Sequence, residues 1–275
     1  MIQAMELFRA GDLEAAVAAS IEEVKSKPTD ADSRSRMAEL LCFTGDLERA
    51  DKQLETVGLQ NPAAVPSIAL FRQLIRAEKS RAEFYNEGRV PEFVGGPNPL
   101  MQIYLQASVA LRAGDLAEAR NLLERAEAER PRVSGKSDDE PFDDFRDLDD
   151  LLGGVFEVLT STGKYYWIPT SQVISLELRP IELTRDLIWR RCEMLVANGP
   201  QGEVFLPCLY HGSSVLGDRQ LKLGRASDWI GEADGIIRGQ GLRMYLVGEE
   251  ARTIRELNLL EFDIELPEGP AEESA

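Results

Sequence analysis

The chain has 275 residues, room for two domains with separate cores, and its 43% hydrophobic and 29% charged residues are those of a globular protein in water. Its net charge of −17 disfavours general nucleic-acid or anionic-membrane binding, and it is concentrated: residues 137–150 hold eight acidic side chains against one basic, and 261–275 hold six against none. No apolar run approaches a bilayer span, "MIQAMELFRAGDLEAA" lacks a basic leader, and Cys42, Cys192 and Cys208 lie far apart, so a cytoplasmic protein without membrane insertion, disulfide framework or CxxC metal site is expected.

The first elements repeat. "LFRAGDLEAA" at 7–16 returns as "LCFTGDLERA" at 41–50 and "ALRAGDLAEA" at 110–119. Gly11 and Gly45 are 34 residues apart, Gly114 follows 69 later, and each glycine precedes a proline by 17 (Pro28, Pro62, Pro131). A left-handed glycine closes one helix, the aspartate after it (Asp12, Asp46, Asp115) caps the next, and the proline ends that one. Helix, turn, helix and proline at this period resemble a tetratricopeptide repeat. A degenerate fourth copy is expected at 74–83, "LIRAEKSRAE", with Glu78 in the glycine position. "GRVPEFVGGPNP" at 88–99 must interrupt the helices.

Beyond the repeats, "PRVSGKSDDEP" at 131–141 reads as a linker, and "FDDFRDLDDLLGGVFEVL" as a further helix. In that helix Phe145, Leu148, Leu152, Phe156 and Leu159 form one stripe, and the aspartates favour its N-terminal dipole. From Lys164 the pattern changes to short β-branched and aromatic segments: "YYWIP", "QVISLEL", "RRCEMLVA", "GEVFLPCLY" and "RMYLVG". "NGPQGE" reads as a hairpin turn, while "TRDLIWRR" fits a helical turn equally well. The expected fold is α+β in two domains: tetratricopeptide-like α-helical repeats over 1–136, then a small, mainly antiparallel, barrel-like β domain over 142–266 that opens with the helix just described. Residues 267–275 are expected to be a disordered acidic tail.

Catalytic signatures are weak. The single histidine, His211, stands beside Ser213 and Ser214 in "YHGSSVLGD", but without a GxSxG elbow a solvated loop histidine is the better expectation. "STGKYY" fails the phosphate-loop pattern and reads as a turn before a strand. The acidic run from Asp138 lacks the glycine of a calcium loop, and "GIIRGQG" does not open a helix after a strand. No catalytic, cofactor-binding or metal residue is assigned. The three cysteines, Trp167 and Trp189 are expected in the core.

"FRDLDDLLGGVFEVLTSTGKYYWIP", "RDLIWRR", "GPQGEVFLPCLY", "LGRASDW" and "LVGEEA", in that order, resemble the ImpE family, accessory proteins of bacterial type VI secretion systems. The resemblance implies a non-enzymatic cytoplasmic adaptor without a cofactor. Its implied partners are the N-terminal segment of the small contractile-sheath subunit and the AAA+ ATPase that disassembles contracted sheaths. The alternative is a small hydrolase or ligand-binding domain fused to helical repeats, for which perturbed titratable groups should gather around His211.

A partner helix needs an apolar groove, and regular stacking is interrupted around 84–104. Phe84, Tyr85, Phe93 and Val94, extending to Leu100, Ile103 and Tyr104, are therefore candidate partner-binding residues; the competing reading has them closing the core between two halves of the repeats. In "GRASDWIGEADG", Trp229 is a candidate anchor, and Arg225 and Asp228 either pair locally or contact a partner.

Overall fold

Helices α1 (Ile2–Ala10) and α2 (Leu13–Ser26), α3 (Ala31–Phe43) and α4 (Leu47–Gln60), and α6 (Pro99–Ala113) and α7 (Leu116–Glu129) form three hairpins, with the long α5 (Val65–Glu87) between the second and third. The computed structural model describes residues 2–231 and 235–264, so the 267–275 tail lies outside the described residues. Each hairpin turns as the repeat chemistry requires. Gly11, Gly45 and Gly114 have φ of 90°, 74° and 75°. Asp12, Asp46 and Asp115 accept from the amides of Ala15, Arg49 and Glu118 at 3.2, 3.2 and 3.1 Å.

The degenerate fourth repeat is not formed. Glu78 lies inside the unbroken α5, because "RAEKSRAE" offers good helix formers and no residue suited to a left-handed turn. The helix ends at Gly88 (φ 81°), whose amide returns to the carbonyls of Glu83 and Phe84. After the irregular stretch, Asn98 caps α6 through the Met101 amide at 2.8 Å.

Thirteen strands follow among the described residues: β1 (Gly135–Ser137), β2 (Glu140–Phe142), β3 (Phe145–Asp147), β4 (Val155–Thr160), β5 (Tyr165–Pro169), β6 (Val173–Leu178), β7 (Trp189–Val196), β8 (Gln201–Pro207), β9 (Ser227–Ile230), β10 (Arg238–Gly241), β11 (Met244–Val247), β12 (Glu250–Thr253) and β13 (Leu259–Phe262). One short helix, α8 (Arg219–Lys222), precedes β9. The main sheet has the order β2-β1-β13-β6-β7-β8-β4-β5, with β2 and β5 as edges, so its hydrogen bonding does not close into a barrel. Smaller sheets pair β12-β11-β3 and β10-β9, and all these strand pairs are antiparallel.

Two expectations fail here. The linker at 131–141 contributes β1 and β2, and β1 pairs with β13 so closely that a Cβ on Gly135 would stand 2.1 Å from the Glu261 carbonyl. The helix over 142–159 is instead β3, a 3-10 turn at Asp150–Leu152 and β4. Local carboxylates favour the turn: Asp147 accepts from the Asp149 amide at 2.8 Å and Asp149 from the Leu151 amide at 3.0 Å. Of the expected stripe only Phe156 and Leu159 fall in β4, which is buried on both faces; Phe145 lies in β3 and Leu152 in the turn. "TRDLIWRR" divides into a 3-10 turn at Thr184–Leu187 and the start of β7.

One apolar cluster runs from Phe8 and Phe43 in the repeats to Trp167, Trp189 and Phe205 in the sheet, and a second lies wholly in the β region around Phe145, Phe156 and Leu260. Cys42, Cys192 and Cys208 are buried free thiols. No described helix is long and apolar enough to cross a membrane.

A charge-locked cleft between the repeats and the β domain

Helix α5 presents Glu78, Arg81 and Tyr85 at spacings of three and four, so all three fall on one face. That face meets β4, β7 and the loop after β8. Glu157 of β4 is 1% exposed and is the hub of the contact. It accepts from Arg81 Nε and Nη2 at 2.9 Å each, from Tyr85 Oη at 3.0 Å, from Tyr165 Oη at 2.5 Å and from Arg243 Nη2. Burial opposes ionisation of Glu157, but the charges of Arg81 and Arg243 outweigh it and hold the carboxyl well below its usual range.

The network continues outward. Arg243 Nη1 donates to Asp147 at 3.1 Å, Tyr210 Oη donates to Asp147 at 2.9 Å, and Arg238 Nε donates to Asp149 at 2.8 Å. Burial pushes the Asp147 carboxyl up to about 7, against the pull of Arg243. On the helix side, Trp189 Nε1 donates to Glu78 at 3.0 Å. Buried charges of this kind need near-complete pairing to be tolerated, and the partners come from both halves of the chain.

Above the network lies a cleft. Its first lobe, about 350 Å³, is lined by Tyr85, Ser108, Arg112, Ile230 and Gln240; its second, about 450 Å³, by Cys42, Leu47, Ala82, Trp189 and Val215. Asn86, His211 and Gly212 border both lobes. His211 is not the solvated loop residue expected from sequence: it stacks on Tyr85 with ring centroids 4.3 Å apart and planes 4° from parallel. Burial, reinforced by the charge of Arg81, lowers its pKa to about 4. At neutral pH the cleft therefore presents a neutral imidazole.

The candidate partner-binding residues are scattered. Phe84 is 1% exposed and packs edge-on against Trp167 at 4.8 Å, and Leu100, Ile103 and Tyr104 are buried on α6. These four are occupied by the protein's own packing, so they do not line an open groove. Phe93 and Val94 are half-buried, and Val94 borders a separate shallow groove with Tyr166 and Met194. Tyr85 alone of the set lines the cleft. Arg225 and Asp228 do not pair: Arg225 Nη2 donates to the carbonyls of Phe8 and Arg9 at 2.8 and 3.0 Å, and Asp228 accepts from the Trp229 amide at 2.9 Å. Trp229 is half-buried, edge-on to Tyr210 at 5.8 Å.

Arg81, Glu157, Arg238 and Arg243 were not singled out from sequence. A signal for Glu157 was present in "VFEVL", where a lone carboxylate sits in an apolar strand-like run and must find buried partners. Among the described residues, no group of three His, Cys, Asp or Glu side chains is arranged to hold a metal ion.

The fold and cleft define a class: a helical-repeat array joined to an antiparallel β domain through a shared apolar core and a buried charge network. Residues 139–261 match the family described as ImpE protein. Over 256 residues, 93% of this chain and 90% of the relative, the sequence is 34% identical to the type VI secretion system accessory component TagJ of Pseudomonas aeruginosa. The crystal structure of protein VPA1032 from Vibrio parahaemolyticus has a TM-score of 0.90 at 32% identity, covering 96% of this chain and 98% of that one. The chain belongs to the ImpE family.

Proposed function

We propose that the protein is a non-enzymatic cytoplasmic adaptor in type VI secretion. It holds the N-terminal segment of the small contractile-sheath subunit in the cleft above Tyr85 and His211, and so links the sheath to its AAA+ disassembly ATPase. The observation that carries the accessory role is the near full-length match to TagJ. The cleft suits the finer reading because its second lobe is mainly apolar and Val215, 79% exposed, stands at its lip. Calorimetry with a peptide from the sheath subunit's N-terminus tests it. Val215→Asp should weaken binding tenfold or more, while Phe93→Asp, on the loop after α5, should leave it unchanged. The reverse pattern moves the site to that loop.

A small hydrolase or ligand-binding domain is the second reading, favoured by the concave cleft and the shifted His211. Neither serine beside His211 supports it. Ser213 Oγ donates to the Tyr210 carbonyl at 2.7 Å and accepts from the Gly241 amide at 2.8 Å, and neither Ser213 nor Ser214 hydrogen-bonds His211. Secretion activity and sheath-peptide binding that are retained or lost together in a folded His211→Ala support the adaptor; secretion activity lost with peptide binding intact supports the hydrolase.

A further inference from the structure

The chain carries a net charge of −17, yet the first lobe of the cleft is lined by two arginines, Arg112 and Arg238, and by no carboxylate. Arg238 is already answered: its Nε donates to Asp149 at 2.8 Å. Arg112 is exposed on the last turn of α6 and makes no ion pair with any described residue. Its Nη1 donates to the Phe84 carbonyl at 3.1 Å and to Ser108 Oγ at 3.3 Å, and its guanidinium carbon stands 6.0 Å from the centre of the Phe84 ring. These contacts hold the group at the end of α5 and leave its Nε and Nη2 donors open. His211, in the same lobe, is neutral at neutral pH, so the uncompensated charge of the lobe is that of Arg112.

Carboxylates on the bordering elements are spent elsewhere. Asp149 also accepts from the Gly239 amide at 3.0 Å, Asp150 accepts from Arg146 at 3.0 Å and from the Ile237 amide at 2.6 Å, and Glu83 pairs with Arg89 at 2.6 Å. Glu87, exposed at the end of α5, does not line the lobe. The second lobe differs in kind. Its charged residues, Glu78 and Arg81, pair with each other at 3.0 Å, and Leu47, Ala82, Trp189 and Val215 make it mainly apolar. Asn86, His211 and Gly212 border both lobes, so one segment can cross from the apolar lobe to the cationic one. A free anion would leave the apolar lobe unfilled, and an exposed guanidinium alone holds it weakly.

We infer, resting on the proposed occupancy of this cleft, that the bound segment is acidic as well as apolar: an apolar side chain enters the second lobe, and an aspartate or glutamate of the same segment reaches Arg112 in the first. The charge selects the register in which the segment lies, and apolar burial supplies most of the affinity. Calorimetry with the sheath subunit's N-terminal peptide, at low and high salt, tests it. Arg112→Gln should weaken binding about five- to tenfold at low salt and flatten its salt dependence. Arg112→Lys, which keeps the charge, should recover most of the loss. Arg132→Gln, the same change of net charge at an exposed arginine outside the cleft, should bind as the wild type does. On the peptide, replacing each acidic residue by its amide should find one whose loss matches that of Arg112→Gln and adds nothing further in that variant. A peptide that binds the wild type and Arg112→Gln equally, or in which no single neutralised residue couples to Arg112, overturns this inference and leaves the adaptor reading standing. A wild type that does not bind the peptide at all overturns both.

Discussion

His211 couples a local stacking arrangement to pH. Its pKa falls from an ordinary 6.5 to about 4 because burial and Arg81 disfavour the imidazolium. Between those values the unfolded chain binds a proton that the folded chain refuses, so this contribution is complete above pH 6.5 and is lost as pH falls toward 4. Asp147 works in the opposite sense: its carboxyl is raised from 3.8 to about 7, so the folded chain gains relative stability as pH falls through 7. The two slopes oppose one another, and whole-protein curves conceal both. The stability difference between wild type and His211→Ala isolates the first. It should grow by up to about 3 kcal/mol from pH 4 to 6.5, measured by urea unfolding. A difference independent of pH would mean that the imidazole titrates normally.

At the scale of elements, the three glycine turns have one chemistry and different surroundings. A Cβ on Gly114 would meet nothing within 4 Å, whereas one on Gly45 would stand 2.8 Å from Ser214 Oγ. Gly114→Ala should therefore cost only the left-handed strain, about 1 kcal/mol. Gly45→Ala should cost more, because the turn between α3 and α4 abuts the loop that carries His211. Thermal unfolding of the two variants checks the order; equal losses would mean that this loop yields freely. The same reasoning explains α5. Where the sequence offers Glu78 in place of glycine, the helix continues and becomes the longest of the described helices, and it lies against the β domain.

For the molecule as a whole, the helices have no core apart from the sheet, although the β region keeps a second cluster of its own. The cluster joining Phe8 to Phe205, and the Arg81–Glu157–Arg243 network, place partners from both halves in each other's interior. Unfolding should be a single event. All three tryptophans, Trp167, Trp189 and Trp229, belong to the β domain, while far-ultraviolet circular dichroism at 222 nm reports mainly the helices. Fluorescence and dichroism curves in urea should coincide, and two separated midpoints would refute a shared core.

Features that depend on neighbours in sequence were legible in the chain itself. The Gly-Asp turns, their caps, the closing prolines and the β7–β8 hairpin follow from backbone sterics and short-range hydrogen bonds, which residues a few positions apart specify. So did the order of helices before strands. The helix expected over 142–159 failed because a 3.6-residue stripe and a strand buried on both faces share the same apolar letters. Only the surrounding sheet, with β8 beside β4 and β11 beside β3, distinguishes them. The cleft was decided entirely by tertiary structure. Arg81, Glu157 and Arg243 lie 76 and 86 positions apart along the chain. A charged side chain declares its partner only when folding removes the water that would otherwise serve it.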